Sequence, residues 1–407
     1  MITLVREGPG FLRLGQTLAI VLCLFHAIET RGGDGLVFPE SSPPQALGDT
    51  ITEDDLRSFD ALPEEFKSLL NSEQLLVNRT IGPEFTNFSG EGNKLDARYF
   101  PENRPVFEMI SLEIPLQEAR VIGLPSLPPQ LSVDRNGVKK VVFLIHPESA
   151  DLYSALIQKY PRGPRYLASP LSSHRSLIVW SPKPEMARAP PMLAKVSLNR
   201  EIGKIVRNLE APWIERAIAI SGLVGTIPEK ELTDQGIVMI PEPVGILPPG
   251  VDAGMQIREW PKALKAGNRV IPMFSLSAEQ SRADPLLMQM IRKSGLSTSD
   301  FLIRKIMQPV LRQAAYLYFR HGIVGEPHGQ NLLIEIDPHG IPNGRFWYRD
   351  FGGFALDKKV RASAGKGMKD LPEPLRNADL STRYDDYIKD VSTYFQQGNL
   401  YAMIESL

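Results

Sequence analysis

Two short stretches hold residue types that could do chemistry together. "GEPHGQNLLIEID", Gly325 to Asp337, sets His328 beside Gln330 and Asn331, and "WYRDFGG", Trp347 to Gly353, sets Asp350 behind an apolar run. If the two apolar runs pair as antiparallel strands, the start of one lies beside the end of the other. One imidazole, two amides and one carboxylate then share a corner. A carboxylate with an amide oxygen suits Mg²⁺, a hard cation that takes one or two carboxylates and completes its shell with nucleotide phosphates. Protein kinases hold their metal ions with an Asn and an Asp-Phe-Gly aspartate on the same economy. The residues also fit a plainer reading, with Gln330 and Asn331 as turn residues and Asp350 as a cap.

Upstream, "SSHRS" supplies Ser172, Ser173, His174 and Arg175, and "LAKVSLNREIGKIVR" supplies Lys195 and Arg207. Fixed cations of this kind handle phosphate, Arg as a two-pronged fork and Lys as a point charge. Taken singly, such side chains are ordinarily solvated surface charges. Lys195 differs, because an apolar, strand-like setting makes an unpaired ammonium costly. A phosphate would supply its partner. Ser172 to His174 is too local for a catalytic triad, since neighbouring side chains on a strand point to opposite faces.

The elements that must position these residues are legible in outline. Gly32 to Asp49 is rich in Gly, Pro and Ser and reads as a linker. Thr50 or Thr52 caps a helix from about Glu53 that is interrupted near Pro63, and a loop-rich region follows to Pro101. "KKVVFLIHP" and "RSLIVW" read as buried strands, and Met192 to Leu209 as a strand that turns helical. Ser299 to His321 has helical spacing, with Ser299 or Asp300 as cap, a kink at Pro309 and a stop at Gly322. "NLLIEID", the turn "PHGIPNG" and "RFWYRDF" complete a hairpin.

At 407 residues the chain has room for two or three units of roughly 150 residues each. A formal net charge of -1 argues against a dominant nucleic-acid or polybasic membrane role, while leaving room for a local basic cleft. Cys23 is the single cysteine, so the chain alone builds no disulfide and no Cys-rich zinc or iron-sulfur site, which fits a reducing, cytoplasmic setting. Against this stands an apolar run, Leu18 to Phe25, behind Arg6 and Arg13. It loosely resembles a signal peptide, also fits a first amphipathic helix, and is too short to span a bilayer. The triplets at Asn78 and Asn87 fit the glycosylation pattern, which counts only in a secreted protein.

The ordered set "YFPE", "IHPES", "SSHR", "AKVSL" with Arg207, "IREWP", "EPHGQN" and "RDFGG" resembles the IucA/IucC family, the NRPS-independent siderophore synthetases, over Leu95 to Val360. The resemblance implies an α+β (mixed α/β) fold shaped like an open hand, with a central sheet, a kinase-like palm hairpin and a shortened helical thumb. Its parts would be residues 1–95, a helical and loop segment; 96–265, the cation-bearing domain; and 266–407, the palm with a partial thumb. The implied activity is an ATP-dependent ligase that adenylates a carboxylate, citrate or a citryl or succinyl derivative, and passes the acyl group to an amine, hydroxylamine or alcohol. ATP and Mg²⁺ are the implied cofactors and those small molecules the partners, with no nucleic acid and no membrane, in a family often dimeric.

Carried over by position, Ser173 and Arg175 match nucleotide contacts, and Lys195 and Arg207 the cations for phosphate and carboxylate. His328 matches the histidine near the α-phosphate, Gln330 and Asn331 nucleotide and metal contacts, and Asp350 the Mg²⁺ carboxylate. The sequence departs from the family at Gly203, where a Thr is usual in the helix expected after Lys195, and in the 57 residues that follow Asp350, fewer than a full thumb. Arg376 and Arg383 are candidate anion ligands there. Two rivals stand beside this reading: a kinase-like phosphotransferase, and an inactive ATP-binding descendant that serves as a scaffold.

Overall fold

The computed structural model describes residues 36–39, 43–76, 93–123, 127–182, 190–202 and 205–367, with residues 369, 371–372 and 375 beyond them. The Leu18 to Phe25 run, Cys23, the Asn78 and Asn87 triplets, Gly203, Arg376 and Arg383 lie outside the described residues.

Lys195 sits on a strand, Met192–Val196, near the middle of an eight-stranded sheet. Ser176–Trp180 flanks it on one side and Met255–Arg258 on the other, both antiparallel. Side chains alternate along it. Met192, Ala194 and Val196 enter a core shared with Val142 and Phe143 of a three-stranded sheet. Leu193 enters a second core with Ile178, Trp347, Leu333 and the helix residues Phe66, Leu69 and Leu70. Lys195 shares the face of Leu193.

Opposite that face lies a four-stranded sheet, ordered Ile237–Met239, Pro342–Tyr348, Leu332–Ile336 and Arg269–Pro272. Its two central strands are the expected hairpin, paired antiparallel with Leu332 against Tyr348. Leu333 and Trp347 face the large sheet, while Leu332, Ile334 and Phe346 pack under the helices Ala211–Val224, Leu286–Ser294 and Gln308–His321. With both faces apolar, hydrophobic pattern alone specifies register weakly. The fully buried Glu335 carboxylate supplies the missing constraint: it accepts from Trp347 Nε1 at 2.8 Å, Asn343 Nδ2 at 2.8 Å and Asn268 Nδ2 at 2.6 Å.

The first helix, Glu53–Asp60, is capped by Thr52 in a reciprocal box with Asp55, and Glu64–Leu75 follows Pro63. Four local expectations are corrected. The helix expected from Ser299 is capped by Ser297, whose hydroxyl accepts from Asp300 N. Rather than a sharp bend at Pro309, the chain makes a π-helical stretch, Leu302–Met307, before Gln308–His321, a respacing that suits a ring with no N–H to give. It ends, as expected, at left-handed Gly322.

The third correction concerns the chain after Lys195, which is a β-hairpin, Leu198–Ile202 with Ile205–Arg207, and not a helix. The β-branched Ile202, Ile205 and Val206 around the glycine favour strands over a helical turn. Finally, "SSHRS" is a tight turn between Leu167–Pro170 and Ser176–Trp180, with His174 at φ 64°. No helix of the described residues is long and apolar enough to cross a membrane.

Candidate active site

The two sheets meet at an ion pair. Lys195 Nζ donates to Asp350 Oδ1 at 2.6 Å, across 155 positions of sequence. Asp350 follows the last hairpin strand in a left-handed conformation, φ 66° and ψ 64°, which turns its carboxylate back toward the large sheet. Burial pushes this carboxyl up, but Lys195, Arg258 and, behind them, Arg175 overcome it and hold it far below the usual carboxylate range. Burial also pulls the Lys195 ammonium below its ordinary value, with Asp350 opposing. The partner that Lys195 required is therefore a carboxylate of the same chain, and that carboxylate keeps 29% of its side-chain surface exposed.

Arg258 was quoted in the motif "IREWP" but given no role by its sequence. Its Nε donates to Glu242 Oε1 at 2.7 Å, and its Nη2 lies 3.5 Å from Asp350 Oδ1. Glu242, fully buried, also accepts the Phe351 N–H at 3.0 Å and so fixes the backbone just past Asp350. Arg175 donates through Nη1 to the carbonyls of Arg207 and Asn208 at 2.8 and 3.1 Å, and burial pulls its guanidinium down to about 10. Arg207 itself donates to Ile202 O at 3.2 Å. Ser173 Oγ accepts the Ser176 N–H at 3.2 Å, a bond internal to the turn.

On the hairpin side, His328 Nδ1 accepts the Gln330 N–H at 3.2 Å and its Nε2 lies 2.9 Å from the Asn331 amide, which also reaches Glu326 Oε2 at 3.2 Å. Burial pulls His328 down to about 4, so the ring is neutral at pH 7. Burial, with Asp350 adding, pushes the Glu326 carboxyl up to about 7. A methyl group on Gly353 would stand 1.8 Å from Glu326 Oε2, so this glycine leaves the space that the carboxyl fills.

Arg349 anchors the assembly by donating to Gln330 O at 2.9 Å and to Glu73 Oε1, while Glu73 Oε2 accepts from the Ser172 N–H and hydroxyl at 3.1 and 2.8 Å. One carboxylate on the Glu64–Leu75 helix thus ties the serine turn to the Arg-Asp pair. The structure brings Lys195, Arg175 and Asp350 together, and His328, Gln330 and Asn331 adjoin Asp350 through the hairpin. Glu242, Arg258, Glu326 and Glu73 were missed as site residues. A charge inside an apolar strand was the one signal available, at Arg258.

Three donors in this region are buried without a hydrogen-bond partner among the described residues: Arg207 Nε, Arg258 Nη2 and Gln256 Nε2. Buried donors normally find partners, and leaving one unmade costs about 1–3 kcal/mol. Unpaired donors on cations are what an anionic ligand would satisfy. No group of three or more His, Cys, Asp or Glu side chains among the described residues is arranged to hold a metal. A separate cleft of about 1420 Å³ lies at the far end of the same strands, lined by Trp180, Met192 and Trp260, with Arg258 the one site residue that reaches it.

This fold is that of the siderophore synthetases. Over 87% of this chain it superposes with a TM-score of 0.67 on the petrobactin biosynthesis protein AsbB of Bacillus anthracis str. Sterne, at 17% identity. The ATP-bound aerobactin synthetase IucA of Klebsiella pneumoniae gives 0.62 at 16% identity, with 86% of this chain and 68% of that one covered. In sequence, 127 residues are 29% identical to the aerobactin synthase of Vibrio mimicus, covering 29% of this chain and 21% of that protein. Residues 302–407 match the family model described as ferric iron reductase FhuF-like transporter. The fold is thus similar to that of the IucA/IucC-type synthetases that the motifs resemble. The chain spans 65% of the length of AsbB.

Proposed function

We propose that the protein is a siderophore synthetase-type ligase that uses ATP to adenylate a carboxylate, citrate or a citryl or succinyl derivative, and transfers the acyl group to an amine, hydroxylamine or alcohol. The observation that carries this reading is the buried meeting of Lys195, Arg175 and Arg258 at Asp350, where Arg207 Nε has no hydrogen-bond partner among the described residues and Arg258 Nη2 has only its 3.5 Å approach to Asp350. Adenylation joins two anions, a carboxylate and the α-phosphate. The site must cancel their repulsion and then stabilise the charge gathered on the phosphoryl oxygens.

Arg207 and Arg258 present donors to that charge, and Lys195 holds the Asp350 carboxylate ionised. His328, neutral and held from both sides, positions Gln330 and Asn331 without adding charge or titrating near pH 7. Asp350 and Asn331 would hold Mg²⁺, and their hard oxygen atoms suit it. When bound, that ion would neutralise phosphate charge. The remaining protein contribution is positioning, for which no nucleophilic side chain is required.

The test is product identity. The protein is incubated with Mg²⁺, ATP, a panel of carboxylic acids including citrate, and hydroxylamine as acceptor. Carboxylate-dependent pyrophosphate and AMP are expected. Production of ADP instead would assign a kinase-like phosphotransferase, and saturable ATP binding without any product would assign an inactive descendant.

A further inference from the structure

We infer that Gln256 is a ligand-contacting residue of this site, its amide donating to an anionic oxygen of the bound substrate; the inference rests on the ligase reading above. Gln256 lies on the strand Met255–Arg258, in register with Lys195 on one neighbour and with Gly245 on the other. Residues directly opposite on adjacent strands share a face, their Cβ atoms about 5 Å apart. Gln256 therefore stands beside Lys195, and Arg258, two residues on, shares that face.

The side chain is 1% exposed and its Nε2 has no hydrogen-bond partner among the described residues. On the far side the space is closed, because a methyl group on Gly245 would stand 2.1 Å from Ile214 Cγ2 of the helix Ala211–Val224. On the other side of Gln256 stands Lys195, which holds Asp350.

An apolar residue of the same size would fill this position without stranding a polar atom. The amide has a physical use there only when something accepts from it. The charged side chains next to it on the sheet, Lys195 and Arg258, are cations, and the unpartnered donor atoms nearby belong to Arg258 and Arg207. Beyond Asp350, which Lys195 and Arg258 already hold, an acceptor that suits this group of donors carries negative charge. Two parts of the proposed substrate pair have that chemistry, the triphosphate and the carboxylate, and Gln256 would add a neutral donor to the cationic set without further like-charge repulsion.

Gln256→Leu and Gln256→Glu are compared with the wild type for thermal midpoint and for binding of Mg·ATP alone, citrate alone and the two together. Gln256→Leu removes a stranded donor, so its midpoint is expected to equal or exceed that of the wild type. One ligand should weaken roughly tenfold or more, the loss of a hydrogen bond to a charged group. Loss in the Mg·ATP arm assigns the contact to a phosphate, and loss in the citrate arm assigns it to the carboxylate. Gln256→Glu places a carboxylate beside Lys195 and should weaken the same ligand further. A lowered midpoint with unchanged binding would make Gln256 a packing residue and overturn the inference, as would unchanged binding in both variants. A wild type that binds neither ligand defeats the ligase reading first and this inference with it, whereas binding by the wild type with no effect of either variant defeats this inference alone.

Discussion

Lys195 and Asp350 form an ion pair of 2.6 Å that fastens the eight-stranded sheet to the hairpin of the smaller one. The Lys195 side chain is 8% exposed and that of Asp350 29%, so removing either partner leaves a charge that water compensates only in part. Breaking such a pair from one side typically costs about 3–5 kcal/mol. Lys195→Met is expected to lie in this range by urea unfolding. Asp350→Asn should cost at least as much, because it leaves the Lys195 ammonium, 8% exposed, beside Arg258 and Arg175 without the carboxylate that paired it. The double variant should recover part of the combined loss, giving a coupling of about 1 kcal/mol or more. Strict additivity of the two losses would deny that the pair is an energetic link between the sheets.

Arg207→Ala and His328→Ala should behave differently in stability while failing alike in activity. Among the described residues the Arg207 side chain makes one hydrogen bond, to Ile202 O, and its buried Nε has no hydrogen-bond partner, so its truncation should cost little stability. His328 holds the Gln330 N–H and abuts the Asn331 amide, so its loss should destabilise by about 1–3 kcal/mol. Both are expected to abolish citrate-dependent ATP–pyrophosphate exchange. Unchanged exchange in both variants would remove these residues from the site.

Much of this site was legible because its motifs sit at ends of strongly patterned elements. The hairpin was marked by two apolar runs around "PHGIPNG", and antiparallel pairing alone brings Asn331 and Asp350 to one end. Lys195 stood out as a charge in an apolar strand. What the sequence could not supply was the identity of long-range partners: no local pattern says that Lys195 meets Asp350, that Arg258 meets Glu242, or that Glu73 reaches Arg349. The stretch after Lys195 misled for a different reason. "NREIGKIVRNL" has charges and apolar residues that satisfy a helical period, yet Ile202, Ile205 and Val206 pair across the glycine as strands.

Glu73 is expected to be the most costly single loss outside the ligand site. It is fully buried, and its two oxygens serve Arg349 on one side and Ser172 on the other. Glu73→Leu would strand the Arg349 guanidinium and two donors of the turn, so destabilisation of about 3–5 kcal/mol is expected by denaturant titration. Glu73→Gln keeps an acceptor oxygen and should lose less. Equal losses for the two variants would mean that the helix packing, not the carboxylate, matters here.

His146 should write a pH dependence into stability. The ring is fully buried between Tyr99 and Phe107, with centroids 4.9 Å from each, and its Nδ1 accepts the Glu148 N–H at 3.1 Å as the cap of a short helix. Burial, with Arg200 adding, pulls its pKa from 6.5 to about 3. Between those values the unfolded chain binds a proton that the folded ring refuses, so the folded state is favoured above pH 6.5 and loses ground as pH falls toward 3. One such proton gives a slope approaching about 1.4 kcal/mol per pH unit. His146→Asn retains an acceptor for the cap and cannot titrate. Urea unfolding at a series of pH values from 7.5 downward, by roughly one unit at a time, should therefore show a shallower fall for His146→Asn than for the wild type. The buried His321 and His328 leave a residual slope in both proteins. Identical slopes would mean that the His146 ring takes up its proton without leaving the fold.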